Sequence, residues 1–115
     1  MKDLLGMADL DAATITELLN TATAMKGVLG RDIQKVPTLG GRLVVTLFYE
    51  PSTRTSSSFE LAAKYLSADV QSLPVAQSSV TKGESLLDTA ETLQAMGAHI
   101  LVLRHPSAGV PRFLA

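Results

Sequence analysis

Leu43-Val44-Val45-Thr46-Leu47-Phe48-Tyr49 (LVVTLFY, residues 43–49) is the stretch that decides the fold. It is short, β-branched and nearly all apolar, which is the composition of a strand covered on both faces. Glu50-Pro51-Ser52 breaks it. Phe59, Ala62, Ala63 and Leu66 then recur at i, i+3, i+4 and i+7, predicting a helix. Asp69–Leu73 reads as a second short strand and Pro74–Thr81 as a polar loop of small residues. The next helix is expected over Glu84–Met96, with Leu86, Ala90 and Leu93 on one stripe. Gly97 ends it, and His99–Leu103 (HILVL) reads as a third strand. Upstream, Ile15, Leu18, Leu19, Ala22, Met25 and Leu29 mark a helix over Asp11–Leu29, with Asp11 as N-cap and Gly30 as stop. Arg31–Gly41 is a connecting loop.

Strands alternating with helices at this spacing specify βαβ units, hence an α/β fold. The expected architecture is three-layer αβα, with a parallel sheet and right-handed crossovers. The 115 residues suffice for one small core. Three strands make a thin sheet, however, and the helix that opens at Ser107 stops at Ala115. The expectation is a truncated domain in which most of the sheet's apolar surface lacks cover.

Composition narrows the function. Hydrophobic residues make up 46% and charged residues 18% of the chain, a globular rather than a disordered balance. A formal net charge of -1 gives no electrostatic case for nucleic acid or an anionic membrane. The chain has no cysteine, which removes disulfides and thiolate metal sites and suits a reducing cytoplasm. Met1–Met7 lacks the pattern of a signal peptide, and the apolar runs are too short to span a bilayer. A cytoplasmic protein is expected.

The chemistry concentrates in Phe48-Tyr49-Glu50-Pro51-Ser52-Thr53-Arg54-Thr55. This segment leaves the carboxyl end of a buried strand and enters a helix, the place where α/β sheets bind ligands. A helix N-terminus offers unpaired N–H groups and the positive end of the dipole. Three hydroxyls and a guanidinium within four residues would complete a phosphate cradle, with Arg54 able to grip two oxygens. An isolated serine–threonine pair would instead read as a helix cap, with Arg54 a solvated charge. Four polar residues directly after an apolar strand favour the anion site. The spacing is neither a Walker A loop nor a dinucleotide fingerprint, since Gly40-Gly41 precedes the strand.

F-Y-E-P-S-T-R-T, continuing as S-S-S-F-E, closely resembles the carbamoyl-phosphate signature of the aspartate and ornithine carbamoyltransferases. The resemblance extends over the whole chain. It implies that residues 1–115 are the N-terminal portion of a carbamoyl-phosphate-binding domain, with the aspartate-binding domain absent from this chain. It also implies that Ser52, Thr53, Arg54 and Thr55 hold the phosphate and that Thr55 reaches the carbamoyl oxygen.

Ser78-Ser79-Val80-Thr81-Lys82-Gly83-Glu84-Ser85 resembles the family's mobile loop. On that resemblance Ser78 and Lys82 serve the neighbouring subunit's site, with Lys82 facing both substrates. Read alone, Lys82 is an ordinary solvated lysine. The aspartate enzymes carry lysine here and the ornithine enzymes usually arginine, so the aspartate branch is favoured. Leu103-Arg104-His105-Pro106 matches a third family element, which implies that Arg104 contacts phosphate and carbamoyl oxygens. Arg104 alone would be an arginine ending a strand. If that strand neighbours the first, Arg104 lies roughly 5–10 Å from the cradle. His105 reads as structural and His99 as a strand-end or interface residue, and the two histidines form no metal constellation.

The implied reaction transfers the carbamoyl group of carbamoyl phosphate to L-aspartate, in pyrimidine (UMP) synthesis, with no cofactor and no metal. The implied assembly is a homotrimer, open to regulatory or other pyrimidine-pathway chains. Ornithine carbamoyltransferase and a truncated, non-catalytic anion-binding module are the alternatives. The isolated chain is expected to be inactive.

Overall fold

The computed structural model describes residues 2–75 and 85–115. Its centre is β1 (Leu43–Phe48), flanked in a parallel sheet by β2 (Asp69–Pro74) and β3 (Ile100–Arg104) in the order β2-β1-β3. The predicted two-sided burial of β1 holds: Val44 to Phe48 are all buried, and Leu47 is 0% exposed. Alternate side chains serve opposite faces. Val44 packs with Ala63 and Ala68 on the side of α2 (Thr53–Tyr65), while Val45 and Leu47 pack with Leu93 of α3 (Leu86–Ala95). These contacts make the expected three layers.

Boundaries shift slightly. α1 runs over Ala12–Lys26, where a 3-10 turn over Gly27–Gly30 takes over, so Gly30 ends the turn rather than the helix. Asp11 caps α1 as predicted, its carboxylate accepting from the Thr14 N–H at 2.8 Å. Gly97, at φ 96°, supplies the left-handed residue that lets the chain leave α3. The predicted helix start near Ser107 becomes a short α4 (Val110–Leu114).

The expectation that most of the sheet would lack cover needs correcting. Two faces of β1 are closed by α2 and α3, and exposure concentrates at the edge, where Ile100 is 41% exposed. It also concentrates on α1, which buries no residue and leaves Leu19 63% exposed. Its sequence stripe is real, but among the described residues most of it stays exposed, with only Ile15 partly covered. No helix among the described residues is long and apolar enough to cross a membrane.

Candidate anion-binding site

The three strands end level. Phe48 is in register with Pro74 on one side and Arg104 on the other. Beyond it, the Tyr49 N–H donates to the Arg104 carbonyl at 2.8 Å, and the Val75 N–H donates to the Phe48 carbonyl at 2.9 Å. The segment after β1 is therefore held between the ends of both neighbours. The chain leaves β1 toward β2 and later returns on the far side of β1 to form β3. That reversal opens a crevice at the carboxyl ends of β1 and β3, where α/β sheets take their ligands.

α2 begins at Thr53, one residue past Ser52. Ser52 has φ -158° and ψ 75°, and its side chain makes no capping hydrogen bond. The first-turn N–H groups of α2 thus lack the side-chain acceptor that a serine N-cap normally provides. No acidic residue occupies this turn; Arg54 occupies it instead. A cation at the positive end of a helix dipole is unfavourable until an anion arrives. Ser52 and Thr55 are partly buried, Thr53 and Arg54 are exposed, and Arg54 makes no ion pair among the described residues.

Arg104 ends β3, beside Phe48, as the sequence argument required. Thr55, Phe48 and Arg104 line one groove of about 820 Å³ that continues along β3 and α3. A separate hollow on α1, lined by Ala13, Thr16 and Asn20, includes none of these residues. The structure therefore sets Ser52 at the N-cap and Thr53, Arg54 and Thr55 on the first turn of α2, with Arg104 one strand away. Ser78 and Lys82 lie outside the described residues, as does most of the predicted loop.

The family model of the aspartate/ornithine carbamoyltransferase carbamoyl-P binding domain matches residues 2–115. The chain belongs to this family. The aspartate carbamoyltransferase catalytic subunit of Moorella thermoacetica is 63% identical over 114 residues, covering 99% of this chain and 37% of that protein. That of Desulforudis audaxviator is 62% identical over 115 residues, covering 100% of this chain and 38% of that protein. The chain thus spans little more than a third of these relatives. Among solved structures, the catalytic subunit of M. jannaschii aspartate transcarbamoylase superposes with TM-score 0.89 at 43% identity, covering 99% of this chain and 37% of that one. Aspartate transcarbamoylase from Trypanosoma cruzi in complex with carbamoyl phosphate gives 0.85 at 33%, covering 98% and 36%.

Two features of this carbamoyltransferase domain escaped the sequence reading. Glu50, just after β1, accepts a hydrogen bond from the Arg104 Nε at 2.8 Å. Both side chains are well exposed, so the pair is worth at most about 1 kcal/mol and is easily exchanged for another anion. Glu60, on α2, accepts from the Ser56 hydroxyl at 2.9 Å and from the Thr46 hydroxyl at a longer 3.4 Å. A signal for the second existed. Thr46 interrupts an otherwise apolar buried strand, a position that demands a polar partner. Ser56 and Glu60 are one turn apart on the predicted helix.

Both histidines accept backbone hydrogen bonds, and His99 sits at a strand end, one of the two positions expected of it. His99 Nδ1 accepts the Leu43 N–H at 3.0 Å, at the end of the sheet opposite the cradle. His105 Nδ1 accepts the Ser107 N–H at 2.9 Å, and its ring packs against Tyr49 with centroids 4.8 Å apart.

Proposed function

We propose that this chain supplies the carbamoyl-phosphate half of an aspartate carbamoyltransferase site. In that reaction the amino nitrogen of L-aspartate attacks the carbamoyl carbon. The bond from that carbon to the phosphate oxygen breaks, and phosphate leaves with the electron pair. The proton lost by the amine passes to a phosphate oxygen. The products are N-carbamoyl-L-aspartate and phosphate, a precursor step of pyrimidine (UMP) synthesis.

The observation that carries this reading is the uncapped first turn of α2, with Arg54 on it and Arg104 one strand away. Such a turn binds an anion through its N–H groups and dipole. Ser52, Thr53 and Arg54 take the phosphate in this reading, and Arg54 stabilises its growing charge as it departs. Thr55 and Arg104 polarise the carbamoyl carbonyl, where negative charge develops during attack. Fixed donors of this kind need no protein nucleophile. Arg104 would exchange its Glu50 partner for substrate oxygens.

Lys82 and the names of the relatives support aspartate over ornithine as the acceptor. Ser78 and Lys82 would complete the site of a neighbouring subunit in a homotrimer. A cysteine-free chain suits a cytoplasmic setting.

The test joins residues 1–115 to the remaining sequence of the Moorella thermoacetica relative, and separately to that of an ornithine carbamoyltransferase. Turnover is expected with the first host and its aspartate acceptor. Turnover only in the ornithine host would reassign the acceptor. Saturable carbamoyl-phosphate binding without turnover in either would leave an anion-binding module.

A further inference from the structure

α2 is fastened to the sheet mainly at its far end. Ala63 is its one buried residue, while Phe59 is 46% and Leu61 48% exposed. Ala63 lies ten residues beyond Thr53, about 15 Å along a helix rising 1.5 Å per residue. Apolar packing alone therefore gives the first turn little lateral support. A small rotation of α2 about Ala63 would swing Thr53, Arg54 and Thr55 away from Arg104.

The polar tie nearest that turn runs through Glu60. Ser56 is the next residue after Thr55, and its hydroxyl donates to Glu60 Oε1 at 2.9 Å. The same oxygen accepts from Thr46, 1% exposed at the middle of β1. Hydroxyls of Ser72, on β2, and of Ser56 hold the Glu60 carboxyl below its ordinary range, and Thr46 and the charge of Lys64 act in the same direction. The group is accordingly an ionised, acceptor-only hub between helix and strands. Its charge is directed at hydroxyls behind the cradle, which leaves the first-turn N–H groups for a ligand.

We propose that Glu60 is a positioning residue for carbamoyl phosphate: by tying Ser56 to Thr46 it fixes the direction in which α2 presents Thr53, Arg54 and Thr55. The inference rests on the anion-site reading above but concerns a residue that does not touch substrate. Glutamine at this position keeps one acceptor oxygen and adds an NH2 donor; alanine removes the tie. Ser56→Ala removes only the link to the first turn and keeps the charge.

The experiment measures kcat, the KM for each substrate, inhibition by inorganic phosphate and Tm for Glu60→Ala, Glu60→Gln and Ser56→Ala. The background is residues 1–115 joined to the Moorella thermoacetica remainder. Glu60→Ala is expected to raise the KM for carbamoyl phosphate and weaken phosphate inhibition about tenfold, the size of one lost charge-assisted hydrogen bond. The KM for aspartate at saturating carbamoyl phosphate should stay within twofold. Glu60→Gln should recover most of the loss, and Ser56→Ala should reproduce part of it even if Glu60→Ala does not fold. A carbamoyl-phosphate KM unchanged in Ser56→Ala and in folded Glu60→Ala, or in Ser56→Ala alone where Glu60→Ala does not fold, would overturn the proposal, as would losses that follow Tm alone. Failure of the unsubstituted chimera to bind phosphate would instead overturn the anion-site reading itself.

Discussion

α2 and α3 both have a serine N-cap, yet the two serines are used in opposite ways. Ser85 has φ -77° and ψ 154°, and its hydroxyl accepts the Asp88 N–H at 3.0 Å. Asp88 then adds a carboxylate to the positive end of the dipole. Ser52, following Pro51, makes no such bond, and the first turn of its helix carries the cation Arg54 rather than an acid. The first turn of α3 is thus satisfied from within. That of α2 has no cap from its serine and, among the described residues, keeps free donors and an unfavourable charge, both of which an anion would relieve. Capping chemistry, rather than the presence of a helix N-terminus, distinguishes a structural turn from a binding turn.

Breaking the comparison at its most charged point should have the largest effect. Arg54→Ala in the chimeric enzyme should cut turnover by about 10²–10³, as loss of a donor to developing charge does, while leaving Tm unchanged or slightly raised. Steady-state kinetics and a melting curve check both halves. Equal loss in Tm and turnover would make Arg54 structural.

Lys82→Ala should also be nearly inactive, and mixing it with Arg54→Ala under subunit exchange should restore activity. In a cyclic trimer, roughly a quarter of the interfaces in an equal mixture pair the two native elements. Activity that stays at background despite proven exchange would place Lys82 in its own chain's site or in none.

At the satisfied turn the effect should be smaller and of another kind. Ser85→Ala should lower stability by about 1 kcal/mol, as loss of a serine cap does. Denaturant unfolding measures it, and the phosphate inhibition constant should not move. A large change in phosphate affinity would blur the distinction between the two turns.

The smallest effect expected is at Asp11, whose carboxyl is held below its ordinary value by hydrogen bonds from Thr14. A depressed folded value means stability present above the unfolded value, about 3.9, and lost as pH falls through the folded one. Asp11→Asn should therefore melt below the parent at pH 7, and the two should converge as pH falls through the lowered folded value. Divergence on acidification would reverse the sign of this contribution.

How much of this was legible in the sequence differs by type of interaction. Local signals sufficed where one segment carries the information. The nearly all-apolar run of β1 announced a central strand, Asp11 a cap and Gly97 a helix end. The Ser52–Thr55 cluster could be placed because it directly follows β1. Arg104 required one non-local fact, that β3 pairs with β1, which strand spacing alone leaves conditional. Glu50 was invisible as a partner because its role arises only when β1 and β3 pack, while for Glu60 the polarity of Thr46 and the one-turn spacing to Ser56 were the only hints. On α1, the apolar periodicity specified a helix but not what covers it. Helical spacing encodes which residues share a face, not which surface meets them.

The most direct test of the central claim is a crystal structure of the chimeric catalytic chain grown with saturating carbamoyl phosphate. The account predicts a phosphate group on the first turn of α2, within hydrogen-bond reach of the Thr53, Arg54 and Thr55 N–H groups, with Arg104 released from Glu50 toward the carbamoyl oxygen. An occupied phosphate elsewhere, with the Ser52 hydroxyl turned to cap α2 and Arg104 still on Glu50, would contradict it.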